Sequence, residues 1–152
     1  MSDAHAPLFR RAVVALNGGS SDARIIRLVA FEARRSKAEL IAVHVVEIDW
    51  TLPLDADIAG RSEDIQQILD TAESLAEDYK VILESVLLQA RDVGAAIVDE
   101  ATERNADLLV VGLPYRKRFG GEFAIGRTIP YILQNAPCAV WVVRDPITEE
   151  SS

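Results

Sequence analysis

Short unbroken apolar runs alternate along this chain with longer stretches in which apolar residues recur every three or four positions. Runs of the first kind predict buried strands, and stretches of the second predict amphipathic helices. Arg11–Leu16 (RAVVAL) is such a strand, closed by the turn-forming Asn17-Gly18-Gly19-Ser20. Over 22–37, Ile26, Val29, Ala30 and Ala33 keep helical spacing, and Ser20 or Ser21 stands where a side-chain oxygen caps the first amides. Residues 40–46 (LIAVHVV) form a second strand, apolar on both faces. That is the composition of a strand in a parallel sheet covered on both sides.

Residues 47–60 hold Trp50, Pro53 and Gly60 without periodicity and predict a long loop. Ser62 then caps a helix to about residue 79, in which Ile65, Ile68, Leu69, Ala72, Leu75, Ala76 and Tyr79 follow the helical repeat closely. A third strand is expected over 81–89, a third helix over 92–103 with Val93, Ile97 and Ala101 in one stripe, and a fourth strand (DLLVV) over 107–111, ending at Gly112. After a loop over 113–125, a short helix over 128–134 and a fifth strand at Ala139–Arg144 lead to a polar tail. Strand and helix alternate throughout, so the chain reads as one α/β domain over 1–152, a doubly wound five-stranded parallel sheet with helices on both faces. Ligands of such sheets sit outside the carboxyl ends of the strands, where the strand order reverses.

With 49% hydrophobic and 26% charged residues the chain is balanced for a soluble globular domain rather than a disordered or collagen-like one. No run approaches the roughly 20 apolar residues of a membrane-spanning helix, and 1–11 lacks the apolar core of a signal peptide. Membrane insertion is therefore not expected, and the cytoplasm is the expected compartment. The lone Cys138 has no disulfide partner, and His5 and His44 make no zinc set. The net charge of −8 is local: between Glu47 and Lys80 ten acidic residues face only Arg61 and Lys80, and the rest of the chain is neutral. Duplex nucleic acid, which needs a broad basic face, is not an expected partner. One small basic cluster remains, Arg116-Lys117-Arg118, with Arg127 nearby.

Candidate chemistry lies in two glycine-bearing turns at strand ends. Asn17-Gly18-Gly19-Ser20 fits a tight turn that brings amides toward a ligand, although Gly-Gly after a strand is also ordinary turn chemistry. It carries neither the lysine of a P-loop nor the spacing of a dinucleotide fingerprint. The stretch from Gly112 to Gly126-Arg127-Thr128 runs from a strand end to a helix start, where exposed amides attract anions. Thr128 is placed to cap that helix, Pro130 fits its first turn, and Arg127 can supply a charged bond to a phosphate. The alternative for this stretch is a solvated surface loop. His44, inside an apolar strand, is expected to be a satisfied core histidine, and Cys138 a small buried hydrophobe. No serine, histidine or carboxylate stands in a nucleophile elbow or a paired acid/base spacing.

The opening segment, from the strand at Arg11 through the Asn-Gly turn to His44-Val45-Val46-Glu47, resembles universal stress protein domains. So does the closing stretch from Asp92 through Ala106-Asp107-Leu108-Leu109-Val110-Val111-Gly112 to Asn135-Ala136-Pro137-Cys138-Ala139-Val140-Trp141-Val142-Val143-Arg144. The resemblance, with the alternation above, implies a sheet in the order 3-2-1-4-5. Nucleotide-binding members of that family carry a glycine, two residues, a second glycine, nine residues, then Gly-Ser or Gly-Thr. Gly112 matches the first glycine and Gly126 the last, while Tyr115 stands at the second, ten residues follow it, and Arg127 precedes Thr128. An aspartate usual after the first strand is Asn17 here.

The resemblance implies a regulatory or stress-response protein that binds ATP, with Mg2+. Its adenine would lie near Asn17 and the backbone of Val45, and its phosphates near Gly112, Gly126, Arg127 and Thr128, with Gly18 a further nucleotide-binding candidate. Arg116, Lys117 and Arg118 are further candidate phosphate contacts. The alternative is a dimeric interaction module of the same fold that binds no nucleotide. Without a Walker lysine or a metal carboxylate, any ATP hydrolysis is expected to be slow. The last strand, with Cys138 at its start and Arg144 at its end, is an apolar sheet edge that neither proline nor lysine blunts, which predicts a homodimer.

Overall fold

The computed structural model describes residues 6–51, 62–115 and 125–147. Along them run β1 (Arg11–Leu16), α1 (Ser21–Ser36), β2 (Glu39–Glu47), α2 (Ser62–Asp78), β3 (Leu83–Ala90), α3 (Val93–Glu103), β4 (Leu108–Leu113), α4 (Thr128–Asn135) and β5 (Ala139–Arg144). The strands form one parallel sheet in the order β3-β2-β1-β4-β5, as expected. β1 is central: Val14 pairs with Ala42 on one side and Val110 on the other. Those three residues, with Leu40, face α1 and α2, while Val13, Val43, Leu109 and Val111 face α3 and α4. Both faces of the central strands are thus covered by helices, which explains why their sequences are unbroken apolar runs rather than alternating ones.

The helices end in a way that the glycine pattern does not announce. Lys37, Lys80 and Asn105 adopt left-handed backbone at φ 58°, 59° and 54°. The next amide then reaches back to the last turn, Ala38 N to Ala33 O at 3.0 Å, Val81 N to Ala76 O at 3.1 Å and Ala106 N to Ala101 O at 3.0 Å. Because Val81 is used in closing α2, β3 starts at Leu83 rather than 81, and Ile82 is left in solvent.

The amino ends of the neighbouring strands β1 and β4 are tied together by Asp107. Its carboxylate accepts bonds of 2.9 Å from both the Arg10 and Arg11 amides, and its own amide donates to Arg11 O at 3.0 Å. Burial raises the Asp107 carboxyl, but the amides of Arg11 and Arg10 more than offset this and hold it below the usual aspartate value. Just before β1, Phe9 is buried and meets Trp141 of β5 edge to face, with ring centroids 6.0 Å apart.

Candidate functional site

Strand order reverses between β1 and β4, and a cavity of about 480 Å³ opens at their carboxyl ends. Its floor is apolar, formed by Ala15, Val45, Val111 and Leu113, with walls of Val93 and Ile97 from α3 and Ile129 and Ile132 from α4. Asn17, Glu47, Gly112, Gly126 and Thr128 stand around it as well. An apolar slot with a few polar groups at its rim is suited to a flat, partly apolar ligand with a polar end.

Of the residues singled out in the sequence, Asn17, Val45, Gly112, Gly126 and Thr128 come together here. Gly18 does not: it lines a separate groove of about 390 Å³ between α1 and α2, on the other side of the sheet, together with Asp22 and Asp64. Arg127 is the N-cap residue of α4, 88% exposed, and its guanidinium lies 3.2 Å from Glu47 Oε1. Arg116, Lys117 and Arg118 lie outside the described residues. Tyr115, at the position of the family's second glycine, is also outside the cavity lining, with its ring 5.0 Å from the Arg144 guanidinium of β5.

The turn after β1 is organised from within. Asn17 N and Gly18 N donate to the Asp22 carboxylate at 3.0 and 2.8 Å, and Gly19 N donates to Asn17 Oδ1 at 2.7 Å. Gly18, at φ +81°, supplies the left-handed backbone that wraps these amides around the carboxylate. Burial pushes the Asp22 carboxyl above the usual aspartate value, against the opposing pull of the Asn17 and Gly18 amides and of His44.

The expected serine caps are absent. Ser20 occupies the N-cap position with helical backbone, and its hydroxyl donates to Asp145 Oδ2 at 2.8 Å instead. The Ser21 hydroxyl is buried without a hydrogen-bond partner. Thr128 likewise is the first residue of α4 rather than its cap, with Pro130 in the first turn as expected.

Gly112 has a packing role beside its place at the cavity: a Cβ there would sit 2.5 Å from Ser21 Cβ. His44 is half-buried, and its Nδ1 lies 2.9 Å from Leu16 O, so that nitrogen carries the proton and the histidine is satisfied, as expected. Cys138 is partly buried beside the α3–α4 core, and burial raises its thiol. Glu47 is the functional candidate that the sequence reading passed over. Its place at the carboxyl end of an apolar strand, next to His44-Val45-Val46, is the signal that marks it as a rim residue.

Residues 8–144 match the sequence profile of the universal stress protein family. The sensor protein KdpD of Mycobacterium tuberculosis is 30% identical over 142 residues, which are 93% of this chain and 15% of that protein. The chain thus spans a small part of that relative's length. A universal stress protein solved in complex with cAMP superposes with a TM-score of 0.65 at 24% identity, over 89% of this chain and 96% of the other. The universal stress protein of Archaeoglobus fulgidus in complex with dAMP gives a TM-score of 0.70 at 20% identity, over 90% and 98%. These two likenesses bear on the fold, and the profile match bears on descent: the chain belongs to the universal stress protein family.

Proposed function

We propose that the chain is a regulatory adenine-nucleotide-binding protein that acts through a change of conformation or partner rather than through turnover, with ATP, carrying Mg2+ on its phosphates, as the ligand. The observation that carries this reading is the cavity where strand order reverses, with Asn17 and Val45 toward β1 and β2 and with Gly112, Gly126 and Thr128 toward β4 and α4. The ligands of the two structural relatives, cAMP and dAMP, support the ligand class. The adenine lies on the apolar floor beside Asn17 and Val45, and the phosphates extend toward Gly126, Arg127 and Thr128. Titration calorimetry with ATP, ADP and AMP, each with Mg2+, tests the reading. Measurable heat and a rise in Tm are expected below millimolar ligand, with ATP turnover slower than about 1 s⁻¹, the low end of kinase rates.

A second reading, an interaction module that binds no nucleotide, is favoured by two observations. The Asn17 carboxamide oxygen is already taken by Gly19 N, and Gly112 is accounted for by its contact with Ser21. Absence of heat and of any Tm shift with all three nucleotides leaves this second reading in place.

Either reading includes a homodimer formed through β5, in the reducing cytoplasm that a lone cysteine suits. β5 is a sheet edge, and its Asp145 end donates to Leu113 O at 2.8 Å. Amides alternate sides along a strand, so odd-numbered amides of β5 point to β4 and even-numbered ones, Val142 among them, point to the free edge. Val142→Pro should therefore remove an edge donor without breaking the β4 ladder. In sedimentation, wild type is expected as a dimer at micromolar concentration and the variant as mostly monomer with unchanged helix content. A monomeric wild type would end the dimer proposal.

A further inference from the structure

The cavity has an ion pair joining two of its walls. Glu47 lines it from the carboxyl end of β2, and Arg127 belongs to the α4 start between the lining residues Gly126 and Thr128. Their side chains meet at 3.2 Å although 80 residues separate them. Arg127 is badly placed on its own account, because a cation at a helix N-terminus opposes the helix dipole, and no side chain caps α4 there. Glu47 compensates that charge, yet both partners are exposed, so the pair itself is weak. A phosphate brought to the α4 start offers the guanidinium a better partner: it carries more charge than one carboxylate and presents paired oxygens that match the guanidinium fork.

We propose that Glu47 and Arg127 form a latch over the cavity that a phosphate opens, Arg127 leaving Glu47 for the ligand, so that the site prefers nucleotides to nucleosides. The proposal rests on the nucleotide reading above and names the part of the chain that senses the phosphate. Arg127 is then the residue that measures ligand charge, and Glu47 is the competitor that sets how much charge is needed. Residues at the base end, Asn17 and Val45, see the same nucleoside either way.

Calorimetry with adenosine and with AMP on wild type, Glu47→Gln, Arg127→Gln and the double variant tests it. The quantity read is the ratio of the adenosine Kd to the AMP Kd. Glu47→Gln is expected to raise this ratio about threefold, the scale of an exposed ion pair. Arg127→Gln is expected to lower it about fivefold, the scale of an ordinary hydrogen bond, because the guanidinium is largely exposed. In the Arg127→Gln background, Glu47→Gln should change the ratio by less than about 1.5-fold, because the latch is already gone. An unchanged ratio in Glu47→Gln, or a threefold rise that persists without Arg127, overturns the latch, the latter because it would reduce Glu47 to plain charge repulsion. If wild type and all variants bind neither ligand, the nucleotide reading falls and the latch with it.

Discussion

Gly112→Ala is expected to destabilise the protein by about 2–3 kcal/mol in the absence of any ligand, the upper part of the range for an overpacked core. The added Cβ would stand 2.5 Å from Ser21 Cβ, 3.4 Å from Ser21 Oγ and 3.6 Å from Ile25 Cγ2. None of these atoms is the tip of a flexible chain. Ser21 and Ile25 are fully buried at the start of α1, so the helix or β4 must shift. For a chain of this length the loss corresponds to a fall in Tm of about 5–10 °C. Ser21→Gly takes away the opposing Cβ, and the double variant is expected to recover at least half of the loss. A Tm within about 1 °C of wild type would show that the start of α1 yields freely. Gly112 would then have to owe its place to the cavity alone.

Phe9→Ala is expected to cost more, about 3–4 kcal/mol, because it empties a fully buried aromatic site. The effect should extend beyond the cavity it leaves. Phe9 is 1% exposed, and its ring holds Trp141 edge to face at 6.0 Å, tying the segment ahead of β1 to the edge strand β5. Chemical denaturation measures the loss, and Trp141 emission reports its spread once the exposed Trp50 is replaced by phenylalanine. A red shift of Trp141 emission is expected in the native state of Phe9→Ala. Phe9→Leu, which fills most of the space, should lose less than half as much. A loss below about 1 kcal/mol for the alanine variant would mean that this layer collapses onto the gap.

The parts of the fold set by hydrophobic pattern were legible from the chain alone. β1 and β5 fall at their expected bounds, and the alternation of strand and helix, together with the family resemblance, implies the observed sheet order. Burial on both faces leaves few ways to arrange RAVVAL, LIAVHVV and DLLVV except side by side under helices. What escaped was decided by backbone conformation and by contacts distant in sequence. Lys37, Lys80 and Asn105 end helices in a left-handed conformation that glycine would advertise, and the ending at Lys80 moves the start of β3 two residues beyond the expected 81. Ser20 and Ser21 looked like caps, whereas Asp22, an ordinary first-turn acid by pattern, reaches back to grip the turn.

For the candidate site the division is similar. That the ends of β1, β2 and β4 border one crevice is legible in the sequence, since it depends on topology. Glu47 pairing with Arg127, and Tyr115 lying against Arg144 rather than in the cavity, depend on where side chains turn after long excursions of the chain. Nothing in the local spacing encodes that choice.

The hold of Asp22 on the turn after β1 has an electrical consequence for anything that enters the crevice. All four helices begin at this edge of the sheet, and the starts of α1 and α4 are in different states. α1 arrives with its own counter-anion, since the Asn17 and Gly18 amides are already committed to a carboxylate that burial makes costly to keep charged. α4 arrives with no side-chain cap and with a cation, Arg127, at its N-cap position. The β1 end of the crevice is thus spent as an anion trap, and the α4 end is not. A ligand with one neutral and one negative end has a single favourable direction along it: charge toward α4, neutral body toward β1.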